Sequence, residues 1–205
     1  MCLKRRYKTR KGENIKAIIN AKIITDVEII EGKTLFFDKH IIEISDKNDL
    51  RGMEIIDAKG CYVCPGFIDL HIHGSGDADV MDATPQALER ISSILLETGT
   101  TSFLATTMTM SEEAIDKALQ NIQKHGRQVT GANILGIHLE GPFINASKHG
   151  AQDQHYIEKP TLNLIKNYMQ EIKMITLAPE VDGGEAFVKY SDKRVSSYHF
   201  KHWSF

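Results

Sequence analysis

Residues 65 to 73 read Pro65-Gly66-Phe67-Ile68-Asp69-Leu70-His71-Ile72-His73. An apolar run that leaves a Pro-Gly break and ends in His-x-His predicts a buried strand from Gly66 to Leu70. Side chains at i and i+2 share a face of a strand, so His71 and His73 are expected to point the same way at its carboxyl end. Two imidazoles converging there are poised to hold a metal. Alone, so short a pattern fits one surface histidine and one hydrogen-bonded core histidine better than a metal pair, and the rest of the chain has to decide.

Downstream the rhythm is strand, helix, strand. Thr84-Pro85 provides an N-cap and a first-turn proline for a helix with Leu88, Ile91, Ile94 and Leu95 on its apolar stripe, and Gly99 ends it. Ser102 to Ala105 reads as the second strand. Ser111 caps a second helix, with Glu112 and Glu113 in its first turn and Ile115, Ala118, Leu119 and Ile122 on one face. Ile134 to Leu139 is the third strand, a looser helix is expected around Leu162 to Ile172, and Met174 to Leu177 is the fourth strand. A helix begins near Gly184 to Tyr190. Alternation of this kind predicts a parallel sheet with helical crossovers, either doubly wound or a (β/α)8 barrel, and both place chemistry at the carboxyl ends of strands. His71, His73, Thr106, Thr107, His138, Glu140 and Glu180 all fall at such ends.

Upstream, short β-type runs at Ile15–Ile24, Val27–Ile30, Thr34–Phe37, Ile41–Ile44 and Glu54–Asp57 are separated by polar turns, as in a small antiparallel all-β module. The expected organisation is therefore a basic, disordered leader over 1–14, the β module over 15–64, barrel strands and helices over 65–190, and a divergent tail over 191–205. Lys4, Arg5, Arg6, Lys8, Arg10 and Lys11 make the leader basic, but no unbroken apolar segment follows them, which argues against a secretory signal. Cys61-Tyr62-Val63-Cys64 has redox spacing yet precedes a strand, and positions i and i+3 of an extended segment face opposite ways. With Cys2 these are expected to be ordinary buried or semi-buried thiols in a reducing compartment.

The 205 residues are 41% hydrophobic and 25% charged, the range of a globular chain with one sizeable core. A net charge of -2 offers no basic excess for a nucleic acid, and a membrane span would need about 20 consecutive apolar residues, which the sequence lacks. A small-molecule ligand and a cytoplasmic location are expected. Two histidines and a carboxylate from different strands suit a divalent cation with an open position for water, hence hydrolysis of an amide or imine-like bond. His138 and Glu140 share a face, so either can enter the site, and a core role fits His138 as well. Gly141-Pro142 turns the chain away from its strand, and the polar segment to about His155 fits either a loop over a substrate or a solvated connector.

Val63-Cys64-Pro65-Gly66-Phe67-Ile68-Asp69-Leu70-His71-Ile72-His73-Gly74, Thr98-Gly99-Thr100-Thr101-Ser102 and Gly136-Ile137-His138-Leu139-Glu140-Gly141-Pro142-Phe143-Ile144 together resemble the N-acetylglucosamine-6-phosphate deacetylases of the amidohydrolase superfamily. The first motif is shared widely across that superfamily. His-Leu-Glu-Gly-Pro-Phe followed by Lys148-His149-Gly150-Ala151 is narrower, and Leu177-Ala178-Pro179-Glu180 agrees with it. The resemblance runs from about Ile15 to about Tyr190. It implies an α/β fold, a metal-dependent (β/α)8 barrel with a β-sandwich built from both ends of the chain, usually homodimeric, that removes acetate from N-acetylglucosamine 6-phosphate. It also implies Glu140 as principal metal ligand, His71 and His73 as the pair for a second metal, zinc or iron as the metal, and Ala151 and Gln152 in the loop that contacts the sugar.

A complete barrel takes about 250 residues, and after Pro65 this chain offers only part of one. By the resemblance, the remaining metal histidines, the phosphate-binding residues and the catalytic aspartate belong to later strands, so no catalytic general base is assigned here. Val195-Ser196-Ser197-Tyr198-His199 faintly resembles the fifth strand with its ligand histidine, and the residues after it do not continue that likeness. An amino-terminal fragment left by a frameshift or premature stop is expected, with little or no turnover alone. The alternatives are a cyclic amidohydrolase or deaminase of the same superfamily, and a non-catalytic truncated chain.

Overall fold

The computed structural model describes residues 15–46 and 49–191, and the backbone of 197–200. The basic leader lies outside the described residues, as do Cys2 and most of the closing tail. The chain divides into two compact units, Met1–Pro65 and Gly66–Phe205.

The first unit is all-β. Strands β1 (Lys16–Ile19), β2 (Lys22–Ile24), β3 (Ile29–Ile30), β4 (Thr34–Phe37), β5 (Ile41–Ser45), β6 (Glu54–Asp57) and β7 (Tyr62–Val63) form two sheets, ordered β5-β4-β1-β6 and β3-β2-β7. The run expected as one strand from Ile15 to Ile24 breaks at Asn20, whose φ of 56° turns the chain so that β1 and β2 enter different sheets. The module is not purely antiparallel either, since β1 pairs parallel with β6 and β2 parallel with β7. Ala21, Ile23 and Leu35 form a small buried cluster, with Ile18, Phe37, Ile44 and Val63 packed against it. Cys61 and Cys64 are exposed, contrary to the expectation of buried or semi-buried thiols. They flank a two-residue strand that is too short to be covered on both faces.

The second unit holds the expected α/β alternation. Its strands β8 (Phe67–Ile72), β9 (Thr100–Thr106), β10 (Asn133–Glu140), β11 (Ile172–Leu177) and β12 (Ser197–Phe200) form one sheet in sequential order, every neighbouring pair parallel. Helices α1 (Pro85–Glu97), α2 (Glu112–His125) and α3 (Gly184–Ser191) lie in three of the four crossovers, so the unit is the curled, partial sheet of a (β/α)8 barrel. Thr84 accepts from the Ala87 amide at the start of α1 and Ser111 from the Ala114 amide at the start of α2. Strand β12 lies inside the segment expected to be divergent, and it pairs with β11 with His199 opposite Thr176.

The core sits between sheet and helices. Leu88, Ile91 and Leu95 of α1 and Ile115, Leu119 and Ile122 of α2 pack with Phe103, Ile137, Leu139, Ile175 and Leu177 from the strands. Alternation along β10 then directs His138 and Glu140 to the opposite face from Ile137 and Leu139.

Two expectations are corrected here. Strand β8 is not buried: it is the edge of its sheet, and Phe67, Ile68 and Leu70 are exposed. The stretch around Leu162 to Ile172 is a series of turns leading into β11 rather than a helix. Its amides alternate between i−3 and i−4 carbonyls, from Ile165 to Leu162 and from Lys166 to Leu162, without a continuous ladder. Tertiary anchoring prevails there: Leu164, Ile165 and Tyr168 are buried, and the Tyr168 hydroxyl donates to Asp116 Oδ1 at 2.6 Å. Burial and that carboxylate push the phenol up to about 12.

Candidate metal site

At its carboxyl end β8 leaves the regular ladder. Asp69 lies opposite Phe103 and Ile72 opposite Ala105, so three steps along β8 match two along β9, a bulge that re-aims the side chains around it. Side chains take over the backbone groups this releases. The His71 amide donates to Asp69 Oδ1 at 3.0 Å, the Ile72 amide donates to Thr106 Oγ1 at 3.0 Å, and the Leu70 carbonyl accepts from His138 Nδ1 at 2.9 Å. The expected i, i+2 pair is therefore brought together by a bulge as well as by the pleat, and the two rings meet edge to face at 4.9 Å.

Glu140 comes from the end of β10 and is 6% exposed. Its Oε2 lies 3.1 Å from His73 Nε2 and 3.7 Å from His71 Nε2. One ligand atom from each of the three residues falls within 4.8 Å of the others, a group able to hold a metal ion. The hydrogen bond and charge of Glu140 hold the His73 imidazole above its ordinary pKa, against partial burial, with the Thr106 carbonyl adding to the rise.

The donor set fits a cation. His73 Nδ1 lies 3.3 Å from the Thr106 carbonyl, which can only accept, so Nδ1 carries a proton there. His73 Nε2 can then face a carboxylate in two ways: as the second N–H of an imidazolium, or with its lone pair and the carboxylate both directed at a cation between them. A carbonyl behind the far nitrogen is the usual way a metal-binding histidine is held in one tautomer and orientation. Nitrogen and oxygen donors of this kind suit a divalent transition-metal ion.

The other residues singled out in the sequence have supporting or separate places. Thr106 and Thr107 are fully buried, and their hydroxyls accept from the Ile72 and Glu140 amides, fixing the strand ends that carry His71, His73 and Glu140. His138 is fully buried with a hydrogen bond at each ring nitrogen and lies outside the ligand group. Ala151 is exposed, while Gln152 is 5% exposed and its Oε1 accepts from the Thr109 amide at 2.7 Å, tying the segment after Gly141 to the loop after β9. Ala151 also borders an open pocket of about 440 Å3 with Met81, Met108, Met110 and Tyr156. Glu180 is exposed and accepts from Asn145 Nδ2 at 2.9 Å, apart from the ligand group. The His199 side chain lies outside the described residues.

Gly141 has a φ of +69°, and a Cβ there would run into the Thr109 hydroxyl, so glycine is required directly after Glu140. Sequence reasoning missed Thr176 and Thr109, because a threonine in a strand carries no mark of which side chain it will meet. Asp69 was open to detection: a carboxylate two residues before an amide is a familiar local turn. Thr106→Val keeps the shape of the side chain and removes the acceptor for the Ile72 amide. It is expected to cost about 1–3 kcal/mol, read as a lower urea midpoint, and an unshifted midpoint would show that the amide has another acceptor.

Comparison with known proteins places these features in a group. Residues 62–187 match the model of the Amidohydrolase family. The chain is 40% identical over 157 residues to the N-acetylglucosamine-6-phosphate deacetylase of Lysinibacillus sphaericus, which covers 74% of this chain and 41% of that protein. It is 40% identical over 171 residues to the enzyme of that name from Bacillus subtilis (strain 168), 78% of this chain and 43% of the relative. The crystal structure of N-acetylglucosamine-6-phosphate deacetylase from Pasteurella multocida superposes with a TM-score of 0.81 at 27% identity, over 91% of this chain and 50% of that one. This chain thus spans about half or less of the length of each of these proteins.

Proposed function

This chain belongs to the amidohydrolase family, and within it we propose that it supplies the metal-holding strands of an N-acetylglucosamine-6-phosphate deacetylase. The reaction is hydrolysis of the 2-acetamido group of N-acetylglucosamine 6-phosphate to glucosamine 6-phosphate and acetate. The observation that carries this reading is the convergence of Glu140 Oε2 with the Nε2 atoms of His73 and His71, at 3.1 and 3.7 Å, at the carboxyl ends of two parallel strands. The choice of substrate is supported by the names of the relatives at 40% identity.

Glu140, His71 and His73 hold a divalent cation, zinc or iron. When bound, such a cation polarises an amide carbonyl and lowers the pKa of water toward about 7. The chain's own residues prepare the place for it. Thr106 holds His73 in one orientation from behind, and Thr107 holds the Glu140 amide. Ala151 and Gln152 set the loop that meets the sugar, Gln152 by its bond to the Thr109 amide. We place the protein in the cytoplasm, as a homodimer when the barrel is complete; no helix among the described residues is long and apolar enough to cross a membrane.

Among the described residues the ligand group comprises two imidazoles and one carboxylate, and its contribution to turnover is tested in a chimeric barrel. A chimera in which this chain replaces the matching segment of the Bacillus subtilis relative is expected to release free amine from N-acetylglucosamine 6-phosphate, and to lose that activity on Glu140→Gln. Ring opening of a cyclic amide such as dihydroorotate, without amine release, would assign the chain to a cyclic amidohydrolase instead.

A further inference from the structure

His138 is fully buried, and its ring lies edge-on to that of His71 with centroids 5.0 Å apart. Strand β9 separates β8 from β10 in the sheet, so no backbone ladder joins β10 to the end of β8 that carries the ligands. A side chain makes that link. His138 Nδ1 reaches the Leu70 carbonyl at 2.9 Å, one residue before His71 and within the stretch where β8 slips against β9. On its other side Nε2 lies 2.7 Å from the hydroxyl of Thr176 on β11. A carbonyl can only accept, so the Leu70 contact fixes the proton on Nδ1, and in the neutral ring Nε2 accepts from the Thr176 hydroxyl.

We infer that His138 is a positioning residue: through the Leu70 carbonyl it holds the bulged end of β8 and thereby sets the orientation in which His71 meets Glu140. A histidine serving only the core needs partners for its nitrogens but has no reason to choose these. Here one partner is the carbonyl adjacent to a ligand, the ring touches that ligand, and the backbone it holds has left its regular ladder. His71 needs such support, because it is exposed and makes the longer of the two contacts to Glu140, 3.7 Å against 3.1 Å. The inference deepens the metal-site reading and rests on it for the first of two readouts.

Three variants of the full chain separate positioning from bulk stability. Asparagine at 138 presents an amide N–H where Nδ1–H lies and keeps the Leu70 bond, glutamine reaches the Nε2 position and keeps only the Thr176 side, and phenylalanine keeps neither. Zn2+ affinity, measured by competition with a chromophoric chelator, is expected to fall less than about threefold in H138N and about 10- to 100-fold in H138Q and H138F. Equal losses in H138N and H138Q, or wild-type affinity in all three, would overturn the inference.

Nitrogen-15 imidazole spectra of the metal-free chain supply the second readout. His138 is expected as the Nδ1–H tautomer, and the His71 resonances are expected to move in H138Q and stay in place in H138N. A wild-type chain that binds no Zn2+ overturns the metal-site reading while these spectra still decide positioning. An Nε2–H tautomer at His138, or His71 resonances indifferent to H138Q, would sink it.

Discussion

Glu140→Gln is expected to weaken divalent-cation binding by more than about 100-fold, since even partners one shell out from a metal are worth about 10- to 100-fold. The amide keeps the volume and shape of the carboxylate and removes its charge. Glu140 is the member of the group that draws the other two together, with Oε2 within 4 Å of both Nε2 atoms. Its side chain is 8% exposed, so water screens that charge little. Two imidazoles without the carboxylate are a weak pair, and one of them is half-exposed. Isothermal titration of the wild-type and variant chains with Zn2+ measures the difference. Far-UV circular dichroism is expected to remain the same, because Leu139 and Ile137, on the opposite face of β10, hold the strand in the core.

Phe103→Ala is expected to act in the opposite sense, lowering stability by about 3–5 kcal/mol with no direct effect on the ligands. Phe103 is fully buried in β9, with β8 and β10 on either side of that strand, and belongs to the cluster that joins the sheet to α1 and α2. Removing the ring takes away apolar burial and leaves a cavity that neighbours on two strands cannot close. Domains of ordinary stability have about 5–15 kcal/mol in hand, so the variant is expected to be folded but close to its limit. Urea denaturation followed by circular dichroism checks this, and a loss under about 1 kcal/mol would mean that the sheet repacks around the site. Together the two substitutions separate scaffold from chemistry along β9 and β10.

Most of the second unit was readable in the sequence because its elements follow strong local rules. Thr84-Pro85 and Ser111 announce helix starts through capping, and the apolar stripes of α1 and α2 carry a helical period that tertiary packing only reinforces. The turns before β11 were misread for the converse reason. Leu164, Ile165 and Tyr168 have a helix-like spacing, yet they are held by burial and by the Tyr168–Asp116 bond, neither of which is local. Asn20 likewise hid a change of sheet inside what reads as one continuous strand.

In the site, the convergence of His71, His73 and Glu140 was legible from spacing and resemblance, since groups able to hold a metal are drawn from a short menu of side chains. Thr106 and His138 stood out only as strand-end residues, and their supporting contacts were not legible. They meet an amide and a carbonyl that become available because β8 bulges against β9, and a bulge leaves no signature in Phe67 to Ile72. Thr176, missed altogether, meets His138. The exposure of β8 was missed as well, because an apolar run reads the same at the edge of a sheet as at its centre.

The most direct measurement is X-ray absorption on the full chain loaded with one equivalent of Zn2+. Convergence of His71, His73 and Glu140 on the ion predicts a shell of nitrogen and oxygen at about 2.0–2.2 Å, with the outer scattering of two imidazoles that Glu140→Gln disperses. A sulfur shell at about 2.3 Å, from the exposed Cys61 and Cys64, or a shell without imidazole scattering, would contradict it.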